Sequence, residues 1–116
     1  MKRNVIKEKS FDFALDVVNV YKTLCFQQKE FVMSKQLLRS GTSIGANIRE
    51  AEHAESKADF IHKIAIALKK ANETEYWIEL LYRSNYLDTI QFQNIHPKIT
   101  EQLRMLTSIL NTAKQK

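Results

Sequence analysis

Few residues in this chain have the type and spacing to carry chemistry, and each can be weighed in turn. Glu50 and His53 stand at the Glu-x-x-His spacing with which helical bundles hold paired iron ions, and Asp59 with His62 nearly repeats it. Such a centre also needs inward-facing carboxylates on the other helices, which offer none. Both pairs fall at one end of the chain's helical core, across a tight turn, and His53 and His62 project away from the apolar faces. No metal and no cofactor is expected. Cys25 is the single cysteine and lies among apolar neighbours, so it reads as a buried thiol rather than a nucleophile. It leaves no internal disulfide and fits a reducing cytoplasm. The segment GTSIG, Gly41 to Gly45, lacks the spacing of a phosphate loop, and no serine comes with an activating motif. The expectation is a protein that is not an enzyme.

Charge is the remaining source of chemistry. The 116 residues carry a net charge of +5, which favours an acidic partner, most obviously RNA or DNA. The candidate nucleic-acid-binding residues are Lys2 and Arg3 near the N-terminus, Arg39 and Arg49 on the outer side of the second helix, and Lys63, Lys69 and Lys70 on the non-core side of the third. Phosphate contacts need charge and reach but little geometry. Glu73 and Glu79 share the third helix and confine its field. No basic-aromatic interleaving along the sequence suggests base stacking.

The elements that must position these residues are helices. Two glycines and one proline leave little material for turns, and one domain is expected from the length. Residues 1–9 read as a flexible basic arm. Ser10 caps a first helix over about 11–26, whose apolar residues cover more of its circumference than one packed face requires. A second helix covers about 33–54, where Leu37, Gly41, Ile44, Ile48 and Ala51 share one face. Gly41 and Gly45 imply a helix packed too close for a Cβ. Beside that face runs a polar stripe, Ser40, Ser43, Asn47 and Glu50, with Glu75 at the edge of the next core face. It reads as a structural polar layer, with a binding site as the alternative. Ser56 to Asp59 resembles a capping box that opens a third helix over about 57–84. Ile66, Tyr76, Trp77 and Leu80 leave that helix's core face as a candidate oligomer interface. A fourth helix covers about 89–113, broken or kinked near Pro97, with Pro97 preferred as the opening of its main segment. The fold class is all-α, an antiparallel up-down-up-down four-helix bundle. No apolar run spans a bilayer and no signal peptide is evident, so no membrane association is expected.

The stretch QLLRSGTSIGANIREAEHAESKADFIHKIAIALKKANETEYWIELL resembles the four-helix-bundle proteins encoded in 23S rRNA intervening sequences. The pattern from Arg39 to Glu50 and the segment Glu73-Thr74-Glu75-Tyr76-Trp77 carry the likeness. The resemblance implies a small cytoplasmic bacterial protein, ribosomal-protein-like in label, that forms a homopentamer. The family is also similar to the accessory protein of diversity-generating retroelements, a basic bundle that works with a reverse transcriptase and nucleic acid. No catalytic residue is implied. Two functions follow as expectations. The first is an oligomeric bundle that binds RNA or DNA through a basic surface. The alternative is an interaction scaffold whose protein partner, such as a reverse transcriptase or RNA-processing protein, makes those contacts.

Overall fold

Four helices account for the architecture: α1 (Lys2–Phe26), α2 (Met33–Glu52), α3 (Lys57–Arg83) and α4 (Thr89–Lys114). The computed structural model describes residues 2–115, with side chains from residue 5. The connections 27–32, 53–56 and 84–88 reach roughly 20 Å at most, whereas helices of this length span about 30–40 Å. A connection that short cannot return to the far end, so consecutive helices run antiparallel. Each packs on its sequence neighbours and α1 closes the ring against α4, giving a rod of 47 × 21 × 20 Å. No strand occurs among the described residues.

The core follows the apolar periodicity. Phe13, Val17 and Leu24 of α1 meet Leu37, Ile44 and Ile48 of α2, Ile64, Ala67, Ala71, Ile78 and Leu81 of α3, and Ile95, Ile99 and Leu106 of α4. The two glycines sit where α2 crosses α1. A Cβ on Gly41 would lie 2.9 Å from Val17 Cγ2, and one on Gly45 would lie 3.3 Å from Ser10 Oγ. Gly41 therefore permits a close helix approach.

Residues 2–9 are not an arm. The helix runs through them because Ile6 is buried among residues of α2, α3 and α4, including Ile48, Ile64 and Ile109, and Ser10, expected to cap a later start, is buried mid-helix with its hydroxyl on Lys7 O at 3.0 Å. Lys7 and Lys9 are held against other helices by Glu52 at 2.9 Å and Glu101 at 3.2 Å. Pro97 likewise does not open α4. Asp88 and Gln91 form a full capping box that starts the helix at Thr89, and Pro97 lies inside it between the buried Ile95 and Ile99. The carbonyl four residues earlier, on exposed Gln93, loses its helical donor and is within reach of water.

Turns are made without glycine, since both glycines lie inside α2. After α3, Asn85 takes a left-handed φ of 71°, Tyr86 N donates to Leu81 O at 2.9 Å and Asn85 N to Tyr82 O at 3.0 Å. That is a Schellman cap with asparagine in the usual glycine position. At the start of α3 the Ser56 hydroxyl accepts from Asp59 N, while Asp59 returns a carboxylate to Glu55 N rather than to Ser56 itself.

Candidate nucleic-acid interface

The first turn of α2 is built on a buried carboxylate. Val32, at the N-cap, has no side-chain oxygen to offer the free amides. Glu30 supplies both of its own: Oε2 accepts from Val32 N at 3.1 Å and Met33 N at 3.0 Å, and Oε1 from Ser34 N at 2.7 Å. Ser34 Oγ donates back to Glu30 O at 2.7 Å. Burial pushes the Glu30 carboxyl up, but the amides of Ser34, Met33 and Val32 outweigh it and hold the group below the usual range. The connection between α1 and α2 is thus a fixed turn, and its one acid faces inward.

From that turn the outer face of α2 carries Lys35, Arg39, Thr42, Ala46 and Arg49 at alternating spacings of four and three. Lys35, Arg39 and Arg49 form no ion pair among the described residues. Arg49 lies over the Phe11 ring at 5.2 Å, and the groove of about 440 Å³ they share with Lys7 also takes in Glu8 and Asp12. Charge is therefore least opposed toward the other end. Gly41 faces Val17 and Gly45 faces Ser10, and the same antiparallel register brings the exposed Lys22 of α1 level with Lys35. The acids at that level of α3, Glu75 and Glu79, are engaged by His96 at 3.4 Å and Arg83 at 3.0 Å.

The basic candidates separate into two groups. Arg39, Arg49 and Lys69 are exposed and without an ion pair among the described residues. Lys63 is bound to Glu50 at 2.8 Å, whose hydrogen bond and charge hold its ammonium pKa above the ordinary value, and Lys70 contacts Glu73 at 3.5 Å. Two of the three α3 cations named from the sequence are thus paired with acids within the fold. The side chains of Lys2 and Arg3 lie outside the described residues.

The expected polar layer does not form as a layer. Ser40 is buried, and its hydroxyl lies 3.0 Å from Oγ1 of the buried Thr74 in α3, which is not part of the stripe. Ser43 and Asn47 instead bond carbonyls of their own helix, Arg39 O at 2.6 Å and Ser43 O at 2.9 Å. Glu50 is exposed on Lys63, and Glu75 turns to α4 rather than to the stripe. Small polar side chains satisfied by the preceding turn need no partner across the bundle.

Of the candidate interface on α3, Tyr76 is exposed and Ile66 and Leu80 are half-buried. Trp77 leans onto the core margin, edge-on to Tyr76 at 5.1 Å, and its Nε1 has no acceptor among the described residues. So wide a ring beside buried Ile78 reaches the core from a flanking position. Among the described residues no three His, Cys, Asp or Glu side chains gather as metal ligands. Among the described residues no helix is long and apolar enough to cross a membrane.

The fold and this surface define an all-helical four-helix bundle with an uncompensated basic face. The chain belongs to the 23S rRNA-intervening sequence protein family, whose model matches residues 2–108. It is similar to a protein of unknown function from the S23 ribosomal protein family of Bacteroides thetaiotaomicron VPI-5482, solved by crystallography at 1.70 Å. The two are 61% identical with a TM-score of 0.93, over 96% of this chain and 99% of that one. No curated protein matches the chain.

Proposed function

We propose that the protein is a non-enzymatic, oligomeric bundle that binds RNA or DNA through the outer face of α2. The observation that carries the reading is the run of Lys35 and Arg39, near the level of Lys22, none of which forms an ion pair among the described residues. Charge arranged this way contacts phosphates without reading sequence. The family's connection to a ribosomal RNA insert supports an RNA partner. Oligomerisation is supported by Phe11 and Leu15, which α1 leaves about half exposed at 49% and 51% beside its packed face. The homopentamer implied by the family resemblance would multiply a modest patch by avidity.

Binding to structured RNA and duplex DNA across a salt series tests this. Affinity should fall steeply as salt rises. Lys35→Glu with Arg39→Glu should weaken binding by about tenfold or more, while Lys63→Glu with Lys70→Glu should have the smaller effect. The reverse ranking would move the interface to α3. Absence of binding at low salt would leave the scaffold reading, in which a protein partner touches the nucleic acid. Leu15→Glu should reduce the mass seen in light scattering to that of one chain. An unchanged mass would exclude α1 from the interface.

A further inference from the structure

At the α1–α2 end of the bundle, aromatic side chains stand in water although the backbone beneath them is fixed. Phe26, the last residue of α1, is 73% exposed, and Phe31 and Val32 are 58% and 73% exposed. Gln27 N donates to Thr23 O at 2.9 Å and Glu30 N to Leu24 O at 3.0 Å, and Lys29 takes a left-handed φ of 56°. The buried Glu30 carboxylate ties the turn to the N-cap amide of Val32 and to two amides of α2. The turn is therefore not a loose loop in which the rings happen to be outside. It holds them there, forgoing the stabilisation that their burial would bring.

The turn itself is cationic. Lys22 lies one helical turn before Phe26, Lys29 lies between the two rings, and Lys35 follows Phe31 by four residues; all three are exposed. None forms an ion pair among the described residues. Between residues 22 and 39 the one acid is Glu30, which faces inward. Contrary to the expectation from sequence, basic and aromatic residues do alternate along this segment, and the fixed turn keeps both kinds exposed. Rings flanked by free cations match a ligand with flat apolar faces on a polyanionic backbone. We infer that the α1–α2 turn is a stacking platform for unpaired bases of single-stranded nucleic acid, with Phe26 and Phe31 taking bases and Lys22, Lys29 and Lys35 taking phosphates. A duplex keeps its base faces occupied and offers only its backbone. Three apolar side chains form a small anchor for a lipid surface, where binding scales with the apolar area inserted.

This inference rests on the nucleic-acid reading above, and the experiment separates the two. Full-length protein is titrated into dye-labelled oligouridine and into a fully paired RNA duplex, with anisotropy as the readout. Phe26→Ala and Phe31→Ala should each weaken oligouridine binding by about tenfold and duplex binding by no more than about twofold. Both positions are exposed, so the thermal midpoint should not move. Lys35→Glu with Arg39→Glu should weaken both ligands. If the phenylalanine variants bind oligouridine as the parent does, or lose both ligands equally, the platform is wrong while the basic face stands. If the parent binds neither RNA, both readings fall. Co-sedimentation with anionic vesicles that depends on Phe26 and Phe31, without any effect on oligouridine, would assign the turn to lipid and overturn the inference.

Discussion

Glu30→Ala is expected to destabilise the fold by about 2–3 kcal/mol, although residue 30 lies in a connection rather than a helix. The side chain accepts from three successive amides at 2.7–3.1 Å, those of the N-cap Val32 and of Met33 and Ser34 in the first turn of α2. A capping side chain contributes about 1 kcal/mol when neutral and exposed. Here the acceptor is charged and buried, and hydrogen bonds to charged groups contribute about 1.5–3 kcal/mol. Truncation also leaves the amides at the positive end of the α2 dipole with only water to replace the carboxylate. Glu30→Gln should cost less, because one carbonyl oxygen and the side-chain shape remain.

The pH dependence has a definite sign. Glu30 ionises in the folded protein below its unfolded value of about 4.3, so the folded state binds fewer protons than the unfolded one. Its contribution is complete above about pH 4.3 and is lost as pH falls through the folded value. The stability gap between the parent and Glu30→Gln should therefore be constant near neutrality and shrink under acid. Denaturant unfolding of both proteins at several pH values measures it directly. A gap independent of pH down to about 3 would show that the charge of Glu30 contributes nothing.

Gly41→Ala is the second change with a large expected effect, and its direction opposes helix propensity. Alanine is favoured over glycine in a helix by up to ~1 kcal/mol. At Gly41 the new methyl would meet Val17 Cγ2 at 2.9 Å, Cγ1 at 3.0 Å and Cβ at 3.3 Å. Val17 is fully buried and β-branched, with one strongly preferred rotamer in a helix, so it cannot swing aside. Overpacking of this kind typically costs about 1–3 kcal/mol, and Gly41→Val should exceed the alanine change. At Gly45 the nearest atom is the Ser10 hydroxyl at 3.3 Å, followed by Ser10 C at 3.6 Å. Gly45→Ala should therefore be close to neutral, since the propensity gain offsets a mild contact.

The pair has an internal control. Val17→Ala alone should cost about 2 kcal/mol through the cavity it leaves. In that background Gly41→Ala fills space instead of colliding, and should become neutral or stabilising. A double-mutant cycle should return a coupling of at least ~1 kcal/mol. Equal effects of Gly41→Ala in both backgrounds would mean that the glycine is not there for the helix crossing.

The sequence by itself determined the all-helical class, the core face of α2 and its glycine-marked close approach. These depend on periodicity and on the absence of a side chain, both of which are local properties of the chain. It also pointed to α2 through Arg39 and Arg49. Only the tertiary structure decided which cations are free. Glu50 and Lys63 are well separated along the chain, so their pairing follows from the α2–α3 register rather than from any spacing. The same holds for Ser40, whose partner proved to be Thr74 and not a neighbour in its own stripe. Residues 2–9 looked like an arm because their charges outnumber their apolar residues, yet Ile6 supplies enough burial and Glu52 and Glu101 take the nearby lysines. Glu30 gave no signal, because a capping residue two places before the N-cap has no fixed position in a helix-start pattern. Its inward carboxylate leaves the turn positive and its phenylalanines held in water, a combination that residue order alone could not express.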